Sequence, residues 1–192
     1  MYAKPALVDI EADGDLDLFV GERYSGVDFI RNDGDQTHPQ WTFVEKSIVD
    51  LKEAYYAPAF CDIDADGDHD AFIGDGDGNI HFFRNSGDNT SPRWTLETDM
   101  LDSIDVKYHT TPVFCDIDAD DDLDMFIGTS EGNVRFYENQ GTPASHSFAL
   151  ADTYFVTAVP GQCGAPAFTD IDNDNDFDIF CRVTTKSLFL SK

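Results

Sequence analysis

Four nine-residue stretches constrain this chain more than any other feature: DIEADGDLD from Asp9, DIDADGDHD from Asp62, DIDADDDLD from Asp116 and DIDNDNDFD from Asp170. Each sets a carboxylate at almost every second position, and neighbouring carboxylates repel one another unless something neutralises them. Their first residues lie 53, 54 and 54 positions apart. Self-similarity at this period marks blades or solenoid units, each a single supersecondary motif. Other residues keep the phase: Pro5, Pro58, Pro112 and Pro166 precede the first Asp, while Gly34, Gly87 and Gly141, and then Trp41, Trp94 and Phe148, follow it.

The second repeat shows how a unit is built. APAFCDID is apolar up to the acidic stretch, DAFIGDG leaves it, GNIHFFRN follows a Gly-rich turn and PRWTLET follows the polar loop NSGDNTS. Short aromatic and β-branched runs bounded by Gly, Asn, Asp and Pro are strands and turns, which gives four strands per repeat. No segment carries a sustained helical apolar period, so almost no helix is expected. Four-stranded antiparallel units at this spacing predict an all-β chain, a β-propeller of just under four blades. We expect one domain over residues 1–192, with repeats of about 1–53, 54–107, 108–161 and 162–192, the last stopping after its third strand. Leu7, Phe60, Phe114 and Phe168, with Trp41, Trp94 and Phe148, are expected to pack between the sheets.

Composition narrows the partners. With 41% hydrophobic residues and 16 Phe the chain can fill a core, and its net charge is −26. The acidity is local, since the four stretches hold 21 of the 38 Asp and Glu residues. So acidic a chain is repelled by nucleic acid and by anionic membrane surfaces, which are bound mainly through Lys and Arg. No run of about 18 apolar residues suggests membrane insertion, and the opening MYAKPALVDIEAD lacks the regions of a signal peptide. Cys61 and Cys115 share a repeat position and read as small buried residues. Cys163 and Cys181 fall in one repeat, and spacing does not decide whether they bridge.

Alternating carboxylates at loop positions 1, 3, 5 and 9 converge on one cation in a tight turn, with the position-7 carbonyl completing the shell. In the second repeat these are Asp62, Asp64, Asp66, the carbonyl of Asp68, and Asp70. An oxygen-only set of this size suits Ca²⁺, with Mg²⁺ or Mn²⁺ fitting less well. Position 6 calls for positive φ, which Gly14 and Gly67 supply and which Asp121 and Asn175 tolerate. Glu11 makes the first loop the most divergent. The loops are not EF-hands: position 12 is Val20, Ile73, Ile127 or Cys181, so the bidentate Glu is missing.

The pattern PAFCDIDADGDHDAFIG followed by GNIHFFRN resembles the FG-GAP, or VCBS-type, repeats of integrin-α-like propellers. That resemblance covers nearly the whole chain. It implies about four Ca²⁺ per chain, held by Asp9, Glu11, Asp13, Asp15 and Asp17; Asp62, Asp64, Asp66, Asp68 and Asp70; Asp116, Asp118, Asp120, Asp122 and Asp124; and Asp170, Asp172, Asp174, Asp176 and Asp178. The function expected is a non-catalytic, adhesion-type module for a protein or glycan partner, in an extracellular or periplasmic setting where Ca²⁺ is abundant. If strands alternate, Tyr24, Tyr55, Tyr56, Tyr108 and His109 gather on the rim opposite the acidic loops and offer aromatic contacts to a ligand. A carbohydrate lyase or hydrolase is the alternative, but His38, His69, His81, His109 and His146 form no triad and read as surface residues. A third reading is assembly, as a homodimer or larger propeller, through the open fourth blade.

Overall fold

The structure is a computed structural model of the 192-residue chain and describes residues 3–49, 51–88, 90–99, 101–153, 155, 164–174, 177–182 and 187–190. Each repeat forms one antiparallel meander. The first blade is β1 (Ala3–Val8), β2 (Asp17–Glu22), β3 (Val27–Asn32) and β4 (Trp41–Glu45), paired in chain order. The second is β5 (Ala57–Cys61), β6 (Asp70–Gly74), β7 (Ile80–Asn85) and β8 (Trp94–Thr98), and the third is β9 (Thr111–Cys115), β10 (Asp124–Gly128), β11 (Val134–Asn139) and β12 (Phe148–Asp152). Among the described residues the fourth has three strands, β13 (Pro166–Thr169), β14 (Asp178–Arg182) and β15 (Ser187–Leu190). Helix is confined there to one 3-10 turn, Leu101–Ser103. The expected all-β blade architecture is therefore present.

Burial grades across each blade. Strands β6 and β10 are buried at every residue, whereas β4 is exposed throughout, because a second strand is covered on both faces by neighbouring sheets. The outer pairing carries the same bulge three times, between Phe29 and Ile30, Phe82 and Phe83, and Phe136 and Tyr137. A recurrent bulge turns the last strand away from the sheet plane. The four innermost strands line a channel of about 600 Å³ that includes Pro5, Pro58, Pro112 and Pro166, and Lys4 Nζ donates across it to Thr111 Oγ1 at 3.2 Å.

Blades join through phenylalanines. Phe19 stacks on Phe29 at 4.6 Å and meets Phe60 of the next blade at 4.3 Å. The pattern recurs as Phe72 on Phe82 against Phe114, and as Phe126 on Phe136 against Phe168. Aromatic pairs at these separations contribute about 0.5–1.5 kcal/mol each beyond their buried area. Phe60 also meets Trp94, and Phe114 meets Phe148, at 5.7 and 6.2 Å. The expectation fails for Leu7 and Trp41, which are 58% and 49% exposed. Their phase-mates are covered by the preceding blade, and among the described residues no such neighbour covers the first blade. With Leu16 and Phe43, 51% and 58% exposed, they leave an apolar face uncovered, so the sheets do not close into a ring.

The buried reading of Cys61 and Cys115 holds: both are buried and outside any disulfide, and burial pushes the Cys61 thiol up. Cys163, and the side chain of Cys181, lie outside the described residues.

Main-chain bonds clasp each of the first two linkers to the blade before it. Tyr55 N donates to Arg23 O at 3.0 Å and Tyr56 N to Glu22 O at 3.1 Å; one repeat later His109 N donates to Gly76 O and Thr110 N to Asp75 O. This close approach explains Gly21, Gly74 and Gly128, which share one repeat position. A Cβ at Gly74 would lie 2.5 Å from Thr110 O and 2.9 Å from Pro112 Cδ, both held by the fold. Gly74→Ala is therefore expected to destabilise the protein by about 1–3 kcal/mol, the usual range for overpacking. Urea unfolding of both proteins measures it, and an unchanged midpoint would contradict the clasp.

Candidate functional site

Each acidic stretch closes into a turn organised by its first residue. Asp9 Oδ1 and Oδ2 accept from the amides of Asp13 and Gly14 at 3.1 and 2.9 Å; Asp62 does the same for Asp66 and Gly67, and Asp116 for Asp120 and Asp121. Asp170 accepts from Asn173 and Asp174. The position-5 carboxylates of Asp13, Asp66 and Asp120 accept the amide of position 7. Gly14, Gly67 and Asp121 have φ of 94°, 96° and 72°, as expected of position 6, while Asn175 lies outside the described residues. Position 4 is also left-handed in all four loops, at Ala12, Ala65, Ala119 and Asn173, with φ between 51° and 63°. That second constraint was not read from the sequence.

The ninth residue ties the loop to the blade. Asp17, Asp70, Asp124 and Asp178 are buried, and the first three accept the backbone amides of Asn32, Asn85 and Asn139 at 2.7–2.8 Å. Those asparagines in turn hold the polar loops: Asn32 Oδ1 accepts from Gly34 N and Gln40 N, Asn85 Oδ1 from Gly87 N and Arg93 N, and Asn139 Oδ1 from Gly141 N and Ser147 N. Sequence reasoning missed this role, although the recurring RN or EN dipeptide was its signal. Acidic and polar loops thus share one rim.

Ligand-capable oxygens of Asp62, Asp64 and Asp66 lie within 4.8 Å of one another, as do those of Asp116, Asp118 and Asp120, and those of Asp170, Asp172 and Asp178. In the first loop Glu11 reaches Arg31 Nη1 at 3.5 Å, and in the second Asp64 is likewise engaged by Arg84. One carboxylate oxygen each of Asp15, Asp17, Asp64, Asp68, Asp122 and Asp178 is buried without a hydrogen-bond partner. Position 7, expected to act through its carbonyl, therefore turns a side chain inward in three loops. Such groups carry a large desolvation penalty unless a cation or proton meets them. Asp174 is exposed, and Asp176 lies outside the described residues.

Burial is the largest influence on these carboxyls. It lifts Asp17 and Asp124 to about 6 and Asp70 to about 7, the loop's other carboxylates adding to the shift; Asp15, Asp68, Asp122 and Asp172 are raised for the same reasons.

The aromatic residues expected on the second rim divide. Tyr24 and Tyr108 are 74% and 64% exposed, and Tyr55 meets the edge of His109 at 4.5 Å. Tyr56 is instead core: it is 1% exposed and its hydroxyl donates to Leu51 O and Glu53 O. His81, read as a surface residue, is also buried, with Nε2 2.9 Å from Asp75 Oδ2. Asp75 further accepts the amides of Asp77, Gly78 and Asn79, and this bonding holds its carboxyl below the usual range despite burial. Glu53 joins Asp75 and His81 within 4.8 Å, but Asp75 is already saturated as the organiser of its turn. Half-buried His69, His109 and His146 depart from the surface reading less.

Antiparallel blades in phase, each with an acidic turn on one rim, define a β-propeller-like repeat module. A family model for the FG-GAP-like repeat matches residues 9–73 and 116–181, and the chain belongs to that family. Repeats of this kind are generally non-catalytic binding modules and typically occur in extracellular domains. A comparison with curated proteins returned no match. No helix among the described residues is long and apolar enough to cross a membrane.

The raised carboxyls fix the pH response of the metal-free protein. Between pH 4 and 7 the folded state holds protons on Asp17, Asp70 and Asp124 that the unfolded chain has released, so stability falls as pH rises through this window. Urea midpoints in chelator should drop from pH 5.5 to 7.5. A midpoint that rises instead would show that these carboxyls are not desolvated.

Proposed function

We propose that this protein is a Ca²⁺-stabilised propeller module that binds a carbohydrate or protein partner through the rim opposite its acidic loops, in an extracellular or periplasmic setting, without catalysis. The observation carrying the metal reading is the set of buried carboxylate oxygens left without partners in Asp15, Asp17, Asp64, Asp68, Asp122 and Asp178. Their positions, with the clustered oxygens of positions 1, 3 and 5, fit a hard cation that accepts six to eight oxygens in flexible geometry. Mg²⁺ sheds its waters reluctantly and suits so many protein ligands less well. About four divalent ions would offset eight of the 26 net negative charges. The ion's contribution is to fasten loop to blade, because a metal bound only by the folded state stabilises it by mass action.

Native mass spectrometry of chelated protein, before and after Ca²⁺, tests this. We expect about four ions per chain, and about 2.7 kcal/mol of stabilisation for each site at a hundredfold excess over its dissociation constant. Asp66→Asn keeps an oxygen for the Asp68 amide and should lower the count by one. Failure to take up any ion specifically would overturn the metal reading.

A second reading, assembly, is favoured by the uncovered face of the first blade. Leu7, Leu16, Trp41 and Phe43 stand where other blades receive a stacked phenylalanine pair, and the complementary occupant is a blade of the same kind from another chain. Sedimentation should then show concentration-dependent dimers or larger species that Phe43→Lys abolishes. A monomer at every concentration would rule this out.

A further inference from the structure

On the rim opposite the acidic loops, one turn and two linkers bring four side chains into one continuous stack. Arg23 Cζ lies 4.7 Å from the Tyr24 ring centroid and 4.6 Å from that of Tyr55, and Tyr55 meets His109 edge-on at 4.5 Å. Arg23 and Tyr24 belong to the β2–β3 turn, Tyr55 leads into β5 and His109 into β9. The stack therefore spans three repeats.

Two features set it apart from a chance surface contact. First, it is held by the backbone. Tyr55 N donates to Arg23 O, His109 N donates to Gly76 O, and Tyr55 and His109 occupy the same repeat position with φ of 64° and 46°. Non-glycine residues keep such conformations only where their surroundings over-determine them.

Second, the guanidinium is free. Arg31 is taken up by Asp33 and Glu11, and Arg84 by Asp64 and Glu97. The Arg23 side chain, in a chain of net charge −26, has no hydrogen bond or ion pair with any described residue. Its neighbour Glu22 is engaged by the Ser25 hydroxyl. The cation is clamped between two rings with its N–H donors unspent.

We propose that this stack is a subsite for a saccharide bearing a carboxylate, with Arg23 taking the carboxylate and the exposed face of Tyr24 taking the sugar ring. A planar guanidinium matches a carboxylate through two parallel N–H···O bonds. Clamping lowers the ordering cost of binding, and the C–H face of a pyranose lies well on a flat aromatic ring. A protein partner needs a pocket that desolvates its anchor. Tyr24 at 74% and Tyr108 at 64% exposure present open platforms instead. This inference rests on the rim-binding reading and names its ligand class.

Calorimetric titration of the Ca²⁺-loaded protein tests it, using tetragalacturonate and its methyl ester, sialyllactose and lactose, and polyglutamate. We expect one or both acidic saccharides to bind at least tenfold more tightly than the neutral partner. Arg23→Gln should remove that preference, Arg23→Lys should restore part of it, and Tyr24→Ala should weaken all saccharides, with Ca²⁺-induced thermal stabilisation unchanged in each variant. The paired saccharides separate a hexuronate from a sialic-type acid. Equal affinity for acid and ester, or wild-type affinity in Arg23→Gln, overturns the subsite but leaves rim binding standing. Arg23-dependent binding of polyglutamate alone overturns the saccharide in favour of an acidic peptide. No binding of any probe overturns the subsite, and the Ca²⁺ count then shows whether the metal reading survives.

Discussion

Each blade depends on a carboxylate that is buried as the fold forms. Asp17, Asp70 and Asp124 lie under their loops and hold the amides of Asn32, Asn85 and Asn139, so the acidic turn, the third strand and the polar loop are one connected unit. An apolar side chain there would deprive that amide of the acceptor it has in the structure. The cost is a cluster of like charges in a site with little water. Burial, with the loop's other carboxylates adding to it, raises the three carboxyls to about 6 or 7, so the metal-free cluster is relieved by holding protons. A cation would relieve it without protonation and would compete with the protons for the same oxygens.

The second organising force runs between blades. A stacked phenylalanine pair from one sheet receives a phenylalanine from the next, three times in phase, while a glycine in the second strand of each of the first three blades lets the following linker approach closely. The two devices act at different levels. Loop electrostatics hold each blade's turn in place, and aromatic packing sets one blade against the next. An ion held in one loop would therefore fasten one rim locally and leave the packing between blades to the phenylalanines.

Much of this was legible because the repeat is legible. Period, strand number, near-absence of helix and the left-handed sixth loop position all follow from residues that recur in phase. What could not be read depends on what lies next to a residue. Leu7 and Trp41 have the pattern of core residues, yet are exposed because covering them requires a neighbouring blade. Tyr56 has the pattern of a rim aromatic, but the linker turns it inward, where Leu51 O and Glu53 O satisfy its hydroxyl. The left-handed alanines at position 4 were hidden because alanine carries no turn signal. Their backbone cost, about 1–2 kcal/mol in each loop, is offset by the two amides that the first Asp accepts.

The two rims also follow from strand alternation. In an antiparallel meander the β1–β2 and β3–β4 connections of a blade emerge at one end, and the β2–β3 turn and the linkers at the other. Concentrating 21 carboxylates in the first set of loops leaves the second free to carry Arg23, Lys107 and the exposed tyrosines without local competition from those loops. Arg31 and Arg84, whose side chains reach the acidic loops, are neutralised within their own blades. On the opposite rim, beyond a Debye length from most of that charge at physiological salt, a guanidinium stacked between rings keeps its donors for something outside the protein.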